Sequence, residues 1–217
     1  MKAAEIISKV DHTLLKPTAT WQEFEEVAKE AIKYKTATVM VPSSLVAPLK
    51  EEFGDELKVA CVIGFPHGNA STEAKLAETA GALADGAEEI DMVINIGALK
   101  SGDTEFVTEE IREIKNLCGN RVLKVIVETC YLTEEEKIAA CHAVTEGKAD
   151  FIKTSTGFGS AGATLEDIEL FKKYIGKDVK IKAAGGIRTR EDMEKYLEAG
   201  CERLGASAAV KILKDEL

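Results

Sequence analysis

Short apolar runs rich in valine and isoleucine alternate with longer amphipathic stretches along the whole chain, and that alternation is the main architectural signal. The short runs, at 9–13, 36–41, 58–65, 88–94, 121–128, 151–156, 179–184 and 203–207, predict eight strands. The stretches between them predict helices. Thr20-Trp-Gln-Glu23, Thr133-Glu-Glu-Glu136, Thr164-Leu-Glu-Asp167 and Thr189-Arg-Glu-Asp192 each set a threonine three residues before an acid. That is the pattern of a capping box, in which hydroxyl and carboxylate satisfy orphan backbone N–H groups at the helix start. After Thr20, the residues Phe24, Val27, Ala28, Ala31 and Ile32 form one apolar stripe for a sheet to cover. A helix over 71–84 aligns Leu76, Ala80, Leu83 and Ala84, and another carries Val107, Ile111 and Ile114 before Gly119 stops it. Eight such strand–helix units fit a (β/α)8 barrel, a TIM barrel, better than an open doubly wound sheet, in one compact domain over 1–217.

Alternate residues of a barrel strand point inward, and catalytic groups gather at the strands' carboxyl ends. In EEIDMVIN (88–95), Ile90, Met92 and Ile94 take the helix side, which leaves Glu89, Asp91, Val93 and Asn95 inside. In RVLKVIVET (121–129), Lys124, Ile126 and Glu128 look inward, and in VKIKAAGG (179–186) so do Lys180, Lys182 and Ala184. Lys153 stands in the apolar run that begins Phe151-Ile152. Burial disfavours a charged amine, so such a lysine is ion-paired, drawn out to water along its stem, or used with a lowered pKa. Three lysines facing a few carboxylates in adjacent strands favour the last of these over a neutralised salt-bridge layer, since surplus cations depress at least one amine. An unperturbed lysine is neutral in only about one molecule in 2,500 at pH 7, so a lowered pKa multiplies the free amine that Schiff-base formation needs.

Composition narrows the partners. A net charge of −10 argues against nucleic acid while leaving room for a local basic site that binds a small anion. Neither the apolar core of a signal peptide nor a transmembrane run is present, so a soluble, cytoplasmic protein with no membrane partner is expected. The final Lys214-Asp215-Glu216-Leu217 reads as a retention signal, but without an entry signal it is taken as coincidence. Five scattered cysteines form no Cys-x-x-Cys pair and read as reduced structural thiols, while His12, His67 and His142 are too far apart in sequence to suggest a metal. No metal and no cofactor are expected. A homodimer is the expected assembly, from the general frequency of two-fold oligomers.

Ala184-Gly185-Gly186-Ile187-Arg188 after the seventh strand, and Gly205-Ala206-Ser207 in the eighth, lie where barrels commonly bind phosphate, with glycines letting backbone N–H groups approach the oxygens. Gly157-Phe-Gly159-Ser-Ala-Gly162 is a literal G-x-G-x-x-G. It is rejected as a dinucleotide fingerprint because it falls in the sixth unit and the next strand brings Lys182 in place of a ribose-binding acid.

Taken together, DHTLLKP, GFPHG, EEIDMVIN, LKVIVET, DFIKTSTGFG, IKAAGGIRT and RLGAS, in that order, resemble the deoxyribose-phosphate aldolases over nearly the whole chain. The resemblance implies a metal- and cofactor-independent class I aldolase barrel that works on a phosphosugar and small aldehydes. It implies that Lys153 is the Schiff-base lysine, Lys182 the lysine that perturbs it and moves protons, Asp91 an acid/base, and Lys124 part of the same network. Asp11 and Thr13 match positions near the substrate, and Thr156, Gly157, Gly185, Gly186, Arg188, Gly205 and Ser207 match the substrate- and phosphate-binding stretches. The chain departs from common family patterns with Ala208 after Ser207, with Phe158 where some members carry lysine, with Met40 where cysteine is frequent, and in lacking a longer tail. Another class I aldolase of different aldehyde pair, and a non-catalytic phosphosugar-binding barrel, remain as alternative readings.

Overall fold

The computed structural model describes residues 1–217. Eight parallel strands close into a barrel in chain order, with the last paired to the first: β1 (Val10–Thr13), β2 (Thr38–Pro42), β3 (Val59–Ile63), β4 (Glu89–Val93), β5 (Val122–Ile126), β6 (Phe151–Lys153), β7 (Lys180–Ala184) and β8 (Arg203–Ala206). The helices are α1 (Ala3–Ile7), α2 (Trp21–Tyr34), α3 (Val46–Phe53), α4 (Thr72–Ala84), α5 (Ile96–Lys100), α6 (Thr104–Cys118), α7 (Glu134–Glu146), α8 (Leu165–Tyr174), α9 (Arg190–Glu198) and α10 (Ala209–Leu213). No helix is long and apolar enough to cross a membrane.

All eight expected strands are present, mostly trimmed at their ends. The largest trim is at β6, which stops at Lys153 because Thr154 puts its hydroxyl into the ladder, donating to the Ala184 carbonyl and accepting from the Ala184 N–H, both at 3.1 Å. After β5 the backbone turns sharply, with Glu128 held in the left-handed region at φ 55. Side-chain parity follows expectation: Ile90, Met92, Ile94, Leu123, Val125, Val127, Ile181 and Ala183 join the apolar layer between sheet and helices. Each fully buried side chain of this size contributes about 1.5–3 kcal/mol. Inside the barrel a small separate apolar group, Met40, Ala60 and Val62, packs with Leu15 and Phe65 on the β2–β3 side. Lys180 departs from the inward expectation. It sits at the amino-terminal edge of β7, half-exposed, and reaches Glu202 at 3.3 Å.

Three of the four capping boxes form reciprocally, at Thr20, Thr133 and Thr189. Thr164 caps α8 through the Asp167 N–H, but the return bond is missing because Lys137 of α7 holds the Asp167 carboxylate at 2.6 Å. The stripe of α2 buries as expected. That of α4 does not. Lys75, Thr79 and Ala82 are its buried residues, whereas Ala80 and Ala84 are exposed and Leu76 and Leu83 only partly covered. The cause is an ion pair: Lys75 Nζ, wholly buried, donates to Glu110 of α6 at 2.8 Å and to the Val93 carbonyl at the end of β4 at 2.9 Å. Turning this face inward satisfies the pair, and the helix rotates away from its aliphatic register.

Candidate active site

Six strands of the barrel interior carry charge. Asp11 of β1, Glu89 and Asp91 of β4, Lys124 of β5, Lys153 of β6, Lys182 of β7 and Arg203 of β8 form one continuous hydrogen-bonded network, in which four cations face three carboxylates. Asp91 is its hub. Its Oδ1 accepts from Lys124 at 2.7 Å, while its Oδ2 accepts from Lys153 at 2.8 Å and from Lys182 at 2.7 Å. Asp11 takes a second bond from Lys182, one from Arg203 at 2.6 Å and one from the Thr38 hydroxyl at 2.8 Å. Lys124 also reaches Glu89 at 2.6 Å, which Arg203 holds from the other side at 2.8 Å.

The compensation is uneven. Lys124, Lys182 and Arg203 each contact two or more carboxylates, whereas Lys153 has Asp91 alone. Lys153 is also the one of these cations that lines the large cavity at the carboxyl ends of the strands. Its amine is pushed down from the ordinary 10.5 to about 8, chiefly by burial, with Lys182 and Lys124 adding to the effect and Asp91 opposing it. The surplus of cations expected to tune it is therefore second to desolvation. For Asp91 and Asp11 burial is the largest influence and works against ionisation, but the surrounding lysines outweigh it and hold both carboxyls below the usual range. Lys124 goes the other way: burial lowers its pKa, and the combined pull of Asp91, Asp11 and Glu89 raises it.

Above Lys153 the cavity measures about 580 Å³. Thr13, Thr156, Gly157, Gly185, Gly186, Arg188, Gly205 and Ser207 all line it, together with Lys16 and Ala208. Asp11, expected near the substrate, is instead wholly buried within the charge network, where it holds Lys182; Thr13, two residues on, is the one at the wall. Gly185 and Gly186 have φ values of 79° and 76°, a left-handed region that other residues adopt at a cost. Gly205 faces Lys182, and a Cβ there would lie 3.4 Å from Lys182 Cε and 3.0 Å from Ala184 Cβ. The glycine thus leaves room for the lysine as well as bordering the cavity.

The G-x-G-x-x-G run is accounted for by packing. Gly157 adopts φ 88, Gly159 lies against Cys130 and Glu128, and Gly162 backs onto Gly185, where a Cβ would meet the Gly185 carbonyl oxygen at 2.2 Å. The loop after β6 thus presses on the loop after β5 at Gly159 and on the loop after β7 at Gly162, while Gly157 serves the backbone turn.

The sequence reading missed three residues here. Arg203 shares parity with Gly205 and Ser207, a signal that could have placed it inside. Lys16 follows the β1 strand directly and, with Arg188, brings exposed positive charge to the cavity rim. Glu128, buried and read only as inward, accepts from the Thr156 N–H at 3.3 Å and from its hydroxyl, and so fixes the loop after β6.

A closed parallel barrel with one under-compensated amine at the floor of a cavity and glycine-rich loops at its wall defines the class, a (β/α)8-barrel enzyme. The chain belongs to the DeoC/LacD family of aldolases, the match spanning residues 5–213. It is 58% identical to a deoxyribose-phosphate aldolase of Clostridium botulinum (strain Alaska E43) over 216 residues, 100% of this chain and 98% of the relative. Identity to a deoxyribose-phosphate aldolase of Streptococcus agalactiae (strain A909) is 51%, over 100% of this chain and 97% of that one. Among solved structures, the deoxyribose phosphate aldolase of Aeropyrum pernix, described as tetrameric, superposes with a TM-score of 0.90 at 30% identity, covering 99% of this chain and 92% of that one.

Proposed function

We propose that this chain cleaves 2-deoxy-D-ribose 5-phosphate reversibly to D-glyceraldehyde 3-phosphate and acetaldehyde through a Schiff base on Lys153, in deoxyribose catabolism. The observation that carries the assignment is that Lys153 alone combines a single carboxylate partner with a place on the cavity wall. At a pKa of about 8, roughly a tenth of the amines are neutral at pH 7. The names of the relatives point to the same substrate.

In the reaction, the neutral Lys153 amine adds to the C1 carbonyl of the open-chain sugar, and loss of water gives a protonated imine. Removal of the proton from the C3 hydroxyl then breaks the C2–C3 bond, and the electron pair moves into the imine to form an enamine. Glyceraldehyde 3-phosphate leaves. Protonation of the enamine at C2 and addition of water release acetaldehyde and restore the amine. Asp91 and Lys182 are assigned the proton transfers, since both adjoin the Lys153 nitrogen through one carboxylate oxygen. Lys124 secures the other oxygen of that carboxylate. Gly185, Gly186 and Ser207 are assigned the phosphate, with Arg188 at the rim and Thr13, Thr156, Gly157 and Gly205 bordering the sugar.

Borohydride reduction during incubation with the phosphosugar tests the assignment. One two-carbon adduct on Lys153 is expected, together with retro-aldol turnover in the presence of a chelator. An adduct on Lys182 would reverse the roles of the two lysines, and binding without adduct or turnover would favour the non-catalytic barrel. For assembly we propose a homodimer. Light scattering should then read about twice the chain mass of 23.4 kDa, and a fourfold mass would instead match the tetrameric relative.

A further inference from the structure

The wall of the Lys153 cavity carries three cations, Lys16, Lys153 and Arg188, and no aspartate or glutamate, in a chain of net charge −10. Lys153 has its carboxylate in Asp91. Lys16 and Arg188 are exposed, and the acids near them are engaged elsewhere. Asp192 accepts from the Arg188 and Thr189 backbone N–H groups, both at 3.1 Å. Glu23 accepts from the Thr20 N–H at 2.7 Å and from its hydroxyl at 3.1 Å. Those bonds from Thr20 do most to hold the Glu23 carboxyl below its ordinary range, and the Lys16 charge adds least.

The loop after β1 fixes where Lys16 starts. Leu15 packs against Met40, Ala60 and Val62 on the apolar side of the barrel, and the Lys16 carbonyl accepts from the Ala19 N–H at 3.0 Å across a tight turn whose second residue is Pro17. Proline at that place sets its own φ and confines the residue before it to extended backbone, so the Lys16 main chain has little freedom. Because β8 lies between β7 and β1, Lys16 and Arg188 stand on the two loops that flank the end of β8, where Ser207 follows. A phosphate monoester carries about −1.5 to −2 charge at neutral pH. Arg188 matches about half of it, Ala208 and Phe158 offer no side-chain donor, and Lys153 enters the proposed reaction as a neutral amine.

We propose that Lys16 is a phosphate-binding residue, which closes on the substrate's phosphate from the β1 side while Arg188 holds it from the β7 side, and that this pair sets the preference for phosphorylated over free sugar. The inference rests on the aldolase reading above. Lys16 acts at the end of the substrate remote from the reacting carbons, so it holds ground state and transition state alike. Its loss falls on KM rather than kcat.

The test is steady-state turnover of 2-deoxyribose 5-phosphate and of 2-deoxyribose by Lys16→Met, Lys16→Arg and Lys177→Met. Lys177 is exposed on the loop before β7, at the opposite end of the barrel, and serves as the control for net charge. A hydrogen bond to a charged group, discounted for solvent exposure, predicts that Lys16→Met raises KM for the phosphosugar roughly 5- to 20-fold at low salt. The preference for the phosphosugar should shrink by the same factor, and added salt should narrow the gap to wild type. Lys16→Arg should recover most of the loss, and Lys177→Met should match the wild type. An unchanged KM in Lys16→Met, an equal loss on both sugars, or the same loss in Lys177→Met overturns the inference. Binding of glycerol 3-phosphate, which has the phosphate but no carbonyl for Lys153 to attack, is measured by calorimetry on the same proteins and needs no turnover. A Kd that depends on Lys16 in a wild type inactive on the phosphosugar keeps Lys16 at the phosphate and overturns the aldolase reading instead. A Kd indifferent to Lys16, or no binding, overturns the inference whatever the activity.

Discussion

Lys153 differs from Lys182 and Lys124 in how many carboxylates it touches, although all three meet at Asp91. Lys124, with three such contacts, is held in its charged form, whereas the single shared contact of Lys153 does not offset its desolvation. Strand parity already turns Asp91, Lys124, Lys153 and Lys182 toward one another. It does not say which amine is left short, because that depends on Arg203 and Glu89 occupying Asp11 and Lys124 from the far end of the barrel. Arg203 was legible by parity with Gly205, but its register beside Asp11 exists only once β8 closes against β1. In the proposed reaction, Asp91→Asn should lower kcat by roughly two to four orders of magnitude. The same change leaves three buried lysines without their common counter-charge, so a stability loss of about 3–5 kcal/mol should accompany it. Urea unfolding alongside turnover at low temperature separates the two. A folded variant with wild-type kcat would remove Asp91 from the proton transfers.

At the scale of elements, period and caps were strong guides because each is local. The eight strands lie within a few residues of their apolar runs, and Thr20, Thr133, Thr164 and Thr189 all cap their helices. The register of α4 was not local. A lysine inside an amphipathic pattern reads as solvent-facing, and nothing near Lys75 in sequence announces Glu110, which arrives on α6 thirty-five residues later. Gly64 makes the burial feasible, since a Cβ there would lie 2.9 Å from Lys75 Cε. The pair ties two helices to the carboxyl end of β4, two residues beyond Asp91. Lys75→Met should cost about 3–5 kcal/mol by stranding a buried carboxylate. Combining it with Glu110→Leu should restore most of that loss, since two apolar side chains of similar volume replace both charges. Denaturant midpoints for wild type, both single variants and the double variant check this, and additive losses would mean that the two residues act separately.

Across the whole molecule, an acidic chain gathers an excess of cations at its centre, and the closed barrel is what makes this possible. Strands β4 to β8 and β1 contribute charge, while β2 and β3 contribute none and, apart from the Thr38 hydroxyl on Asp11, offer apolar groups, so the interior has a charged arc and an apolar side. Where buried ionisable groups interact this closely, a pH–rate profile reports apparent values of the whole site and not of one side chain. In the proposed reaction the free Lys153 amine is the reactive form, so kcat/KM should rise with pH through about 8. In the wild type, Asp91 Oδ2 is shared between Lys153 and Lys182. Lys182→Met takes away one repelling cation and leaves that oxygen to Lys153 alone. Both changes favour the ammonium form, and the rising limb should move to higher pH, the neutral fraction at pH 7 falling about tenfold for each unit of displacement. In the proposed reaction Lys182 also carries protons, and losing that role should lower the plateau of kcat without moving the limb, so the two roles are read from one titration. A displaced limb with a lowered plateau supports both. An undisplaced limb with normal turnover would mean that burial alone tunes Lys153 and that Lys182 serves only to hold Asp11 and Asp91 together.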